Sequence, residues 1–285
     1  MSRKRQAKKR KASKKRNANK RSYAVSGDLF REASGILMDW VKDQINEMAN
    51  ERLYTVRNRG GSGAELARET LISRDPGLAM ELRDDTIREA VKSYFRGERA
   101  YGEIESWDVS NVTNMRAMFQ CSREFNPDLS AWDVRNVRYM DCMFEGCIVF
   151  NSDLSGWDVS NVTNMRAMFA RCNKFNSDIS RWDVSNVTNM SKMFTTATTF
   201  NADLSRWKVR NVTDMREMFY YCVNKFNSDL SRWDVSNVTD MSCMFFICRE
   251  FDADLSGWDV SNVTNIAYMF AYCDKMLETN KPNFM

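Results

Sequence analysis

Cys147, Cys172, Cys222, Cys248 and Cys273 recur at one slot of a repeating pattern, and Cys121 is displaced from it by one residue. Regularly spaced thiols suggest metal ligation or disulfide pairing. The 285 residues contain no histidine and no C-x-x-C pair, which argues against zinc. Ala197 fills the same slot in the remaining repeat, so the slot demands something small and apolar. Buried free thiols in a reducing compartment are the expected state, including Cys142 and Cys243 at a second shared slot. Asp128, Asp153, Asp178, Asp203, Asp229 and Asp254 form another regular set, each preceding Leu or Ile and then Ser. Carboxylates stacked roughly 5 Å apart repel unless each accepts local hydrogen bonds. Asx turns are expected there, with calcium ligation the alternative. Catalysis lacks its parts. No phosphate-cradling G-x-x-x-x-G-K is present, no nucleophile sits beside a base, and any carboxylate pair would recur in every repeat. The chain is expected to bind without catalysing, and to need no metal or cofactor.

These residues are positioned by one 25-residue unit, W-D-V-S-N-V-T-N-M-x-x-M-F-x-x-C-x-x-F-N-x-D-L-S-x. Its tryptophans are Trp107, Trp132, Trp157, Trp182, Trp207, Trp233 and Trp258; the single interval of 26 reflects one extra residue near Val223–Lys225. A fixed period of this length means stacked supersecondary units. In Leu154–Val162 the alternation puts Trp157 and Val159 on one face of a strand. Met165, Met168, Phe169 and Cys172, spaced by three, one and three, predict one face of a short helix. The fold class expected for 107–285 is therefore an α/β repeat solenoid of seven coils. Stacking creates polar columns. Asn111, Asn136, Asn161, Asn186, Asn211, Asn237 and Asn262 should bond backbone of their own and adjacent coils. Asn126, Asn151, Asn176, Asn201 and Asn227 form a second column, completed by Asp252.

The L-x-x-L-x-L spacing in L-S-G-W-D-V-S-N-V and the whole 25-residue unit resemble the BspA-type leucine-rich repeats, the domain of unknown function 285. The likeness runs from Trp107 to about Cys273. D-D-T-I-R-E-A-V-K-S-Y-F (84–95) resembles that family's lead-in, so residues 84–106 should seal the first coil. Thr86 and Glu89 make a capping box, and Ile87, Ala90, Val91 and Tyr94 give one apolar face. The resemblance implies protein–protein binding or adhesion. Such repeats are common in bacterial surface proteins and occur in protists and large DNA viruses. A surface protein and a virion component are thus the alternatives to an internal scaffold. The slots flanking Trp point away from the core. Repeat five carries Arg206, Lys208 and Arg210 there, flanked by Arg181 and Arg232. This cationic stripe is expected to meet an acidic protein partner, the other reading being solvated charges offset by Asp183 and Asp234.

Residues 1–22 hold twelve basic side chains and no acid: Arg3, Lys4, Arg5, Lys8, Lys9, Arg10, Lys11, Lys14, Lys15, Arg16, Lys20 and Arg21. The remainder carries 30 basic and 38 acidic residues, about −8. A cationic arm with little to bury is expected to be disordered and to hold nucleic acid through its charge. A nuclear import signal and a solubilising tail are the other readings. No apolar run is long enough for a membrane span. N-V-T recurs at one slot of six repeats, so a secreted chain would risk a glycan at each. An intracellular, reducing location is expected: nucleus, viral factory or virion.

Residues 23–83 read as helical. Leu29, Phe30, Ala33, Ile36, Leu37, Trp40, Val41, Ile45, Met48 and Leu53 recur at three- and four-residue steps, and Gly60–Gly63 ends the run. K-R-S-Y (20–23) followed by S-G-I-L-M-D-W-V-K-D-Q-I-N-E-M-A-N-E (34–51) resembles the arm and central helix of histone 2B. The resemblance implies that Arg57 and Arg59 contact DNA phosphate. It also implies that the stripe through Ile36, Trp40 and Ile45 pairs with a histone 2A-like partner. A generic helical cap with a basic tail is the reading that competes with it.

Overall fold

A computed structural model describes residues 81–284. The expectations for the basic arm, for Arg57 and Arg59, and for Ile36, Trp40 and Ile45 lie outside these residues.

The described part opens with strand β1 (Glu81–Arg83), helix α1 (Ile87–Phe95), a short 3-10 turn (Ile104–Ser106) and strand β2 (Asp108–Asn111). β1 pairs with β2 in parallel, Glu81 opposite Asp108 and Arg83 opposite Asn111. Ile87, Ala90 and Val91 of α1 are buried, as the apolar spacing requires. The expected capping box does not form. The Thr86 hydroxyl turns back to Arg83, accepting from its N–H at 2.8 Å, while Glu89 pairs with Lys92 and Arg96 on the helix surface.

From Trp107 onward each unit lies on the next, and each slot of the repeat forms a column. Trp157, Trp182, Trp207, Trp233 and Trp258 stack face to face at 6.4–6.5 Å. Phe144, Phe169, Phe194, Phe219 and Phe245 stack at 5.7–5.9 Å, and each packs on a second Phe of its own unit, as Phe194 does on Phe200 at 3.9 Å. The Val and Met slots are equally closed from Val109 to Met244, and the core is one continuous cluster from Leu82 to Met276. Burying a phenylalanine side chain is worth roughly 2–3 kcal/mol, and the apolar columns recur in every unit. Packing, not backbone pairing, dominates the stability.

The backbone departs from expectation in two places. Trp157 and Val159 are buried and Asp158 is exposed, as period two requires. Among the described residues, however, only the first unit forms a strand at this slot. Side chains take the place of ladder bonds elsewhere: Trp182 Nε1 donates to the Leu154 carbonyl at 3.0 Å, and Asn186 Nδ2 to the Ser160 carbonyl at 2.7 Å. The Met-x-x-Met-Phe segment is not an α-helix. Its N–H groups at alternate positions point along the stack: Met165, Ala167, Phe169 and Arg171 donate to the carbonyls of Asn189, Ser191, Met193 and Thr195. The peptides between them close local turns, such as Met168 N–H to the Met165 carbonyl. A backbone that sends alternate peptides to its neighbour cannot also close i→i−4 bonds. The alternation demands left-handed φ at two slots per unit. Ala167 (φ 53) and Arg171 (φ 61) fill them in one unit, and Cys142 (φ 57) with Gly146 (φ 75) in another.

Candidate interaction surfaces

The polar columns are satisfied locally. Asn151 Oδ1 accepts from Asn176 N–H at 2.8 Å, and the column ends where Asn227 Oδ1 accepts from Asp252 N–H. Each aspartate of the expected Asx set accepts from the serine two residues on, for example Asp178 from Ser180 N–H at 2.9 Å. The serine hydroxyl and its N–H hold Asp178 and Asp229 below the usual carboxylate value of 3.8. The Asx-turn expectation is therefore met at these positions. Among the described residues no three His, Cys, Asp or Glu side chains gather as a metal cluster, and no helix is long and apolar enough to cross a membrane.

The thiols are structural. Cys172 Sγ donates to the Phe144 carbonyl at 2.9 Å, and Cys147, Cys222, Cys248 and Cys273 repeat that bond to the unit before. Burial pushes the Cys147 thiol up to about 12 and the Cys172 and Cys248 thiols well above the ordinary 9.0. Cys121, displaced in the sequence, is also displaced in space: it is exposed.

Arg181, Arg206, Lys208, Arg210 and Arg232 all emerge on the exposed side of the tryptophan slot. Each is exposed and neighbours a buried Trp or Val in the chain. Carboxylates lie within electrostatic reach of each. Arg210 pairs with Asp234 at 3.5 Å; Asp183, Asp178, Asp203 and Asp229 have their pKa lowered first by the serine two residues on, with a smaller pull from Lys208, Arg181, Arg206 and Arg232 respectively. The stripe is a mixed-charge surface. Exposed pairs of this kind contribute about 0–1 kcal/mol each to stability.

A second lateral face was not singled out by the sequence reading. It is built from the turn slots between Met, Phe and Cys, where the repeat consensus reads x. In the first units this face holds polar and charged pairs. Arg116 meets the buried Asp141 at 2.9 Å, and Gln120 donates to the buried Glu145 at 2.8 Å. In later units it turns aromatic. Tyr220 stacks on Phe246 at 5.0 Å, and Phe246 meets Tyr272 edge-on at 5.5 Å, with Tyr221 42% exposed beside them. Burial pushes the Tyr220 hydroxyl up to about 12. The detectable signal was the variability of the x slots against an otherwise constant unit.

A cleft of about 770 Å³ lies between the end of α1, the following loop and the first repeat. Its lining includes Tyr94, Phe95 and Phe125, four glutamates (Glu98, Glu103, Glu105 and Glu124) and the arginines Arg99 and Arg123, with Cys121 at its edge.

The family model described as "Mycoplasma protein of unknown function, DUF285" matches residues 89–207 and, in a second overlapping alignment, 172–283. No curated protein and no solved structure matches the chain significantly. The two family alignments together reach from α1 through the last stacked unit, well over half of the 285 residues. The chain belongs to the DUF285 family.

Proposed function

We propose that this protein is a non-enzymatic scaffold whose stacked repeats act as a leucine-rich-repeat-type solenoid for protein–protein interaction. The observation that carries this reading is the contrast between slots. The Trp, Val, Met and Phe positions are closed and nearly constant from Trp132 to Phe251, whereas the turn slots vary from unit to unit among charged, small polar and aromatic residues. Constant slots build the stack and variable slots give it an address. Aromatic residues that combine contact area with few rotors are the side chains on which binding energy concentrates. The basic N-terminus adds a second, sequence-independent affinity for nucleic acid, and the 34–51 segment supports a chromatin-associated version with a histone 2A-like partner. A nuclear, viral-factory or virion setting belongs to the same proposal.

Affinity capture from native lysate with the full chain tests the two binding roles separately. The lateral-face partner should be lost about tenfold or more with Tyr221→Asp, or with Arg206→Glu, Lys208→Glu and Arg210→Glu combined. Retention by both variants refutes the solenoid role. Binding to a duplex DNA of mixed sequence should weaken steeply with salt and disappear on deletion of residues 1–22. Recovery of a histone 2A-like chain, lost on replacing Ile36, Trp40 and Ile45 by Asp, would support the chromatin version. Its absence, with DNA binding intact, would leave the arm alone as the nucleic-acid element.

A further inference from the structure

The second unit, from Trp132, breaks the repeat at two adjacent slots that the other units keep. Where six units carry Thr it carries Arg138, and where six carry Asn or Asp it carries Tyr139. The backbone register is unchanged. Tyr139 bridges Asn114 on one side and Asn164 on the other; Arg138 N–H donates to the Thr113 carbonyl at 2.8 Å, and the Arg138 carbonyl accepts from Thr163 N–H at 2.9 Å. Only the side-chain bonds differ. Thr163, Thr188, Thr213, Thr239 and Thr264 each donate a hydroxyl to a carbonyl of the preceding unit at 3.1–3.3 Å. The Asn or Asp side chain accepts from the N–H two residues on at 2.8–3.2 Å in all six units that carry it. Arg138 and Tyr139 make neither bond, and the N–H of the buried Asp141 meets no acceptor among the described residues. The second unit forgoes hydrogen bonds that its neighbours keep. Natural chains break a local structural rule where a site needs other side chains.

What the two side chains present is cationic and aromatic. Tyr139 is 46% exposed, and among the described residues its ring stacks on no other ring and its hydroxyl has no hydrogen-bond partner. Arg138 is exposed and makes no ion pair there. Arg166, two residues beyond the bridge partner Asn164, reaches the Cys142 thiol at 3.4 Å and pairs with no carboxylate. Asp141, Asp133 and Asp84 are engaged with other groups. Asp141 holds Arg116 at 2.9 Å and Asp133 holds Arg135 at 2.9 Å. Asp84 accepts from the Thr113 and Asn114 N–H groups at 2.7 and 3.0 Å. Two guanidiniums beside an open ring are thus left without a matching anion.

We propose that Arg138, Tyr139 and Arg166 form a binding site for single-stranded nucleic acid, with a base stacked on the Tyr139 ring and backbone phosphates on the guanidiniums. Arg138 precedes Tyr139 in the second unit, and Arg166 follows its bridge partner in the third. The two charges therefore lie in different units with the ring between them, an arrangement that suits successive phosphates of a strand. An acidic peptide would satisfy the guanidiniums and leave the ring unused. A strand uses both, since every base offers a stacking face and every link a phosphate. Contacts of this kind tolerate any sequence, because neither the ring nor the guanidiniums read base edges. The site lies in the repeats, apart from residues 1–22, and so goes beyond the nucleic-acid role proposed for the arm.

The test uses the full chain and a deoxythymidylate octamer carrying 5-iodouracil, which photocrosslinks to aromatic side chains, with attachment sites mapped by mass spectrometry. Crosslinking at Tyr139 is expected, and Arg138→Thr should reduce its yield about tenfold. A second variant separates the site from the fold. Arg138→Thr combined with Tyr139→Asn restores the residues of the other units, so its urea midpoint should stay level or rise. Crosslinks confined to residues 1–22, or a Tyr139 yield unchanged by Arg138→Thr, would overturn the proposal and leave nucleic-acid binding to the arm alone. A lower midpoint in the double variant would also overturn it, because the two side chains would then serve the stack. So would displacement of the octamer from Tyr139 by an equal concentration of a decaglutamate peptide, because the occupant would then be an acidic protein.

Discussion

At the scale of single residues, the positions that look chemically active are mostly held in structural bonds. The cysteine column is the clearest case. A thiol that is buried, donates to a carbonyl of the neighbouring unit and has its pKa pushed up to about 12, as Cys147 does, has almost no thiolate at neutral pH. Alkylation of the native protein at pH 8, read by mass spectrometry, should label the exposed Cys121 first and spare Cys147, Cys172, Cys222 and Cys248 until the protein unfolds. Equal labelling of all of them would show that the stack opens readily. The left-handed slots make the opposite kind of statement, since they hold residues against their own preference. Thr196 (φ 55) and Ile247 (φ 59), both β-branched, are the least suited. Left-handed conformation costs an L-residue about 1–2 kcal/mol and glycine's extra chain entropy about half of that.

Elements in this protein are columns before they are strands or helices. A column member is supported from above and below, so its loss is felt by three units. Phe194 lies between Phe169 and Phe219, against Phe200 of its own unit and Trp207. Phe194→Ala should cost about 3–5 kcal/mol, measurable as a lower urea midpoint, whereas Tyr139→Ala, at a half-exposed position outside that column, should cost far less. If the two losses were equal, the aromatic column would not be the source of stability. The same logic explains why a helix was expected and not found. Apolar spacing of three and four reports which side chains are buried, and those were identified correctly. It does not report whether backbone bonds close within the segment or cross to a neighbour.

For the whole molecule, repetition turns small local effects into a collective one. The Asx aspartates have folded pKa values below the usual 3.8 because of the serine bonds, with the hydroxyl contributing most at Asp128, Asp178, Asp229 and Asp254 and the backbone N–H at Asp153 and Asp203. A depressed folded value means that the stabilisation is complete above the unfolded pKa and is lost as pH falls through the folded one. Thermal midpoints should therefore be flat with respect to these groups above about pH 5 and fall steeply below 3.8, as the turns of successive units protonate together. A flat profile down to pH 2 would show that the turns do not need ionised carboxylates.

The sequence alone determined the unit, its period, the buried set and the roles of the Asn, Asp and Cys slots, because each depends on which side chains recur and stacking makes recurrence a contact. It also carried the family likeness, which the family alignment supports over residues 89–283. Only the tertiary structure decided where backbone bonds go. The partner of Met165 N–H is the carbonyl of Asn189 in the next unit, and no local pattern states that the peptide points along the stack. From that one choice follow the left-handed slots and the absence of the expected helix. The basic stripe shows the same limit. Sequence placed Arg206, Lys208 and Arg210 on a shared face, but the carboxylates beside them come from neighbouring units as well as their own, and only stacking brings those together.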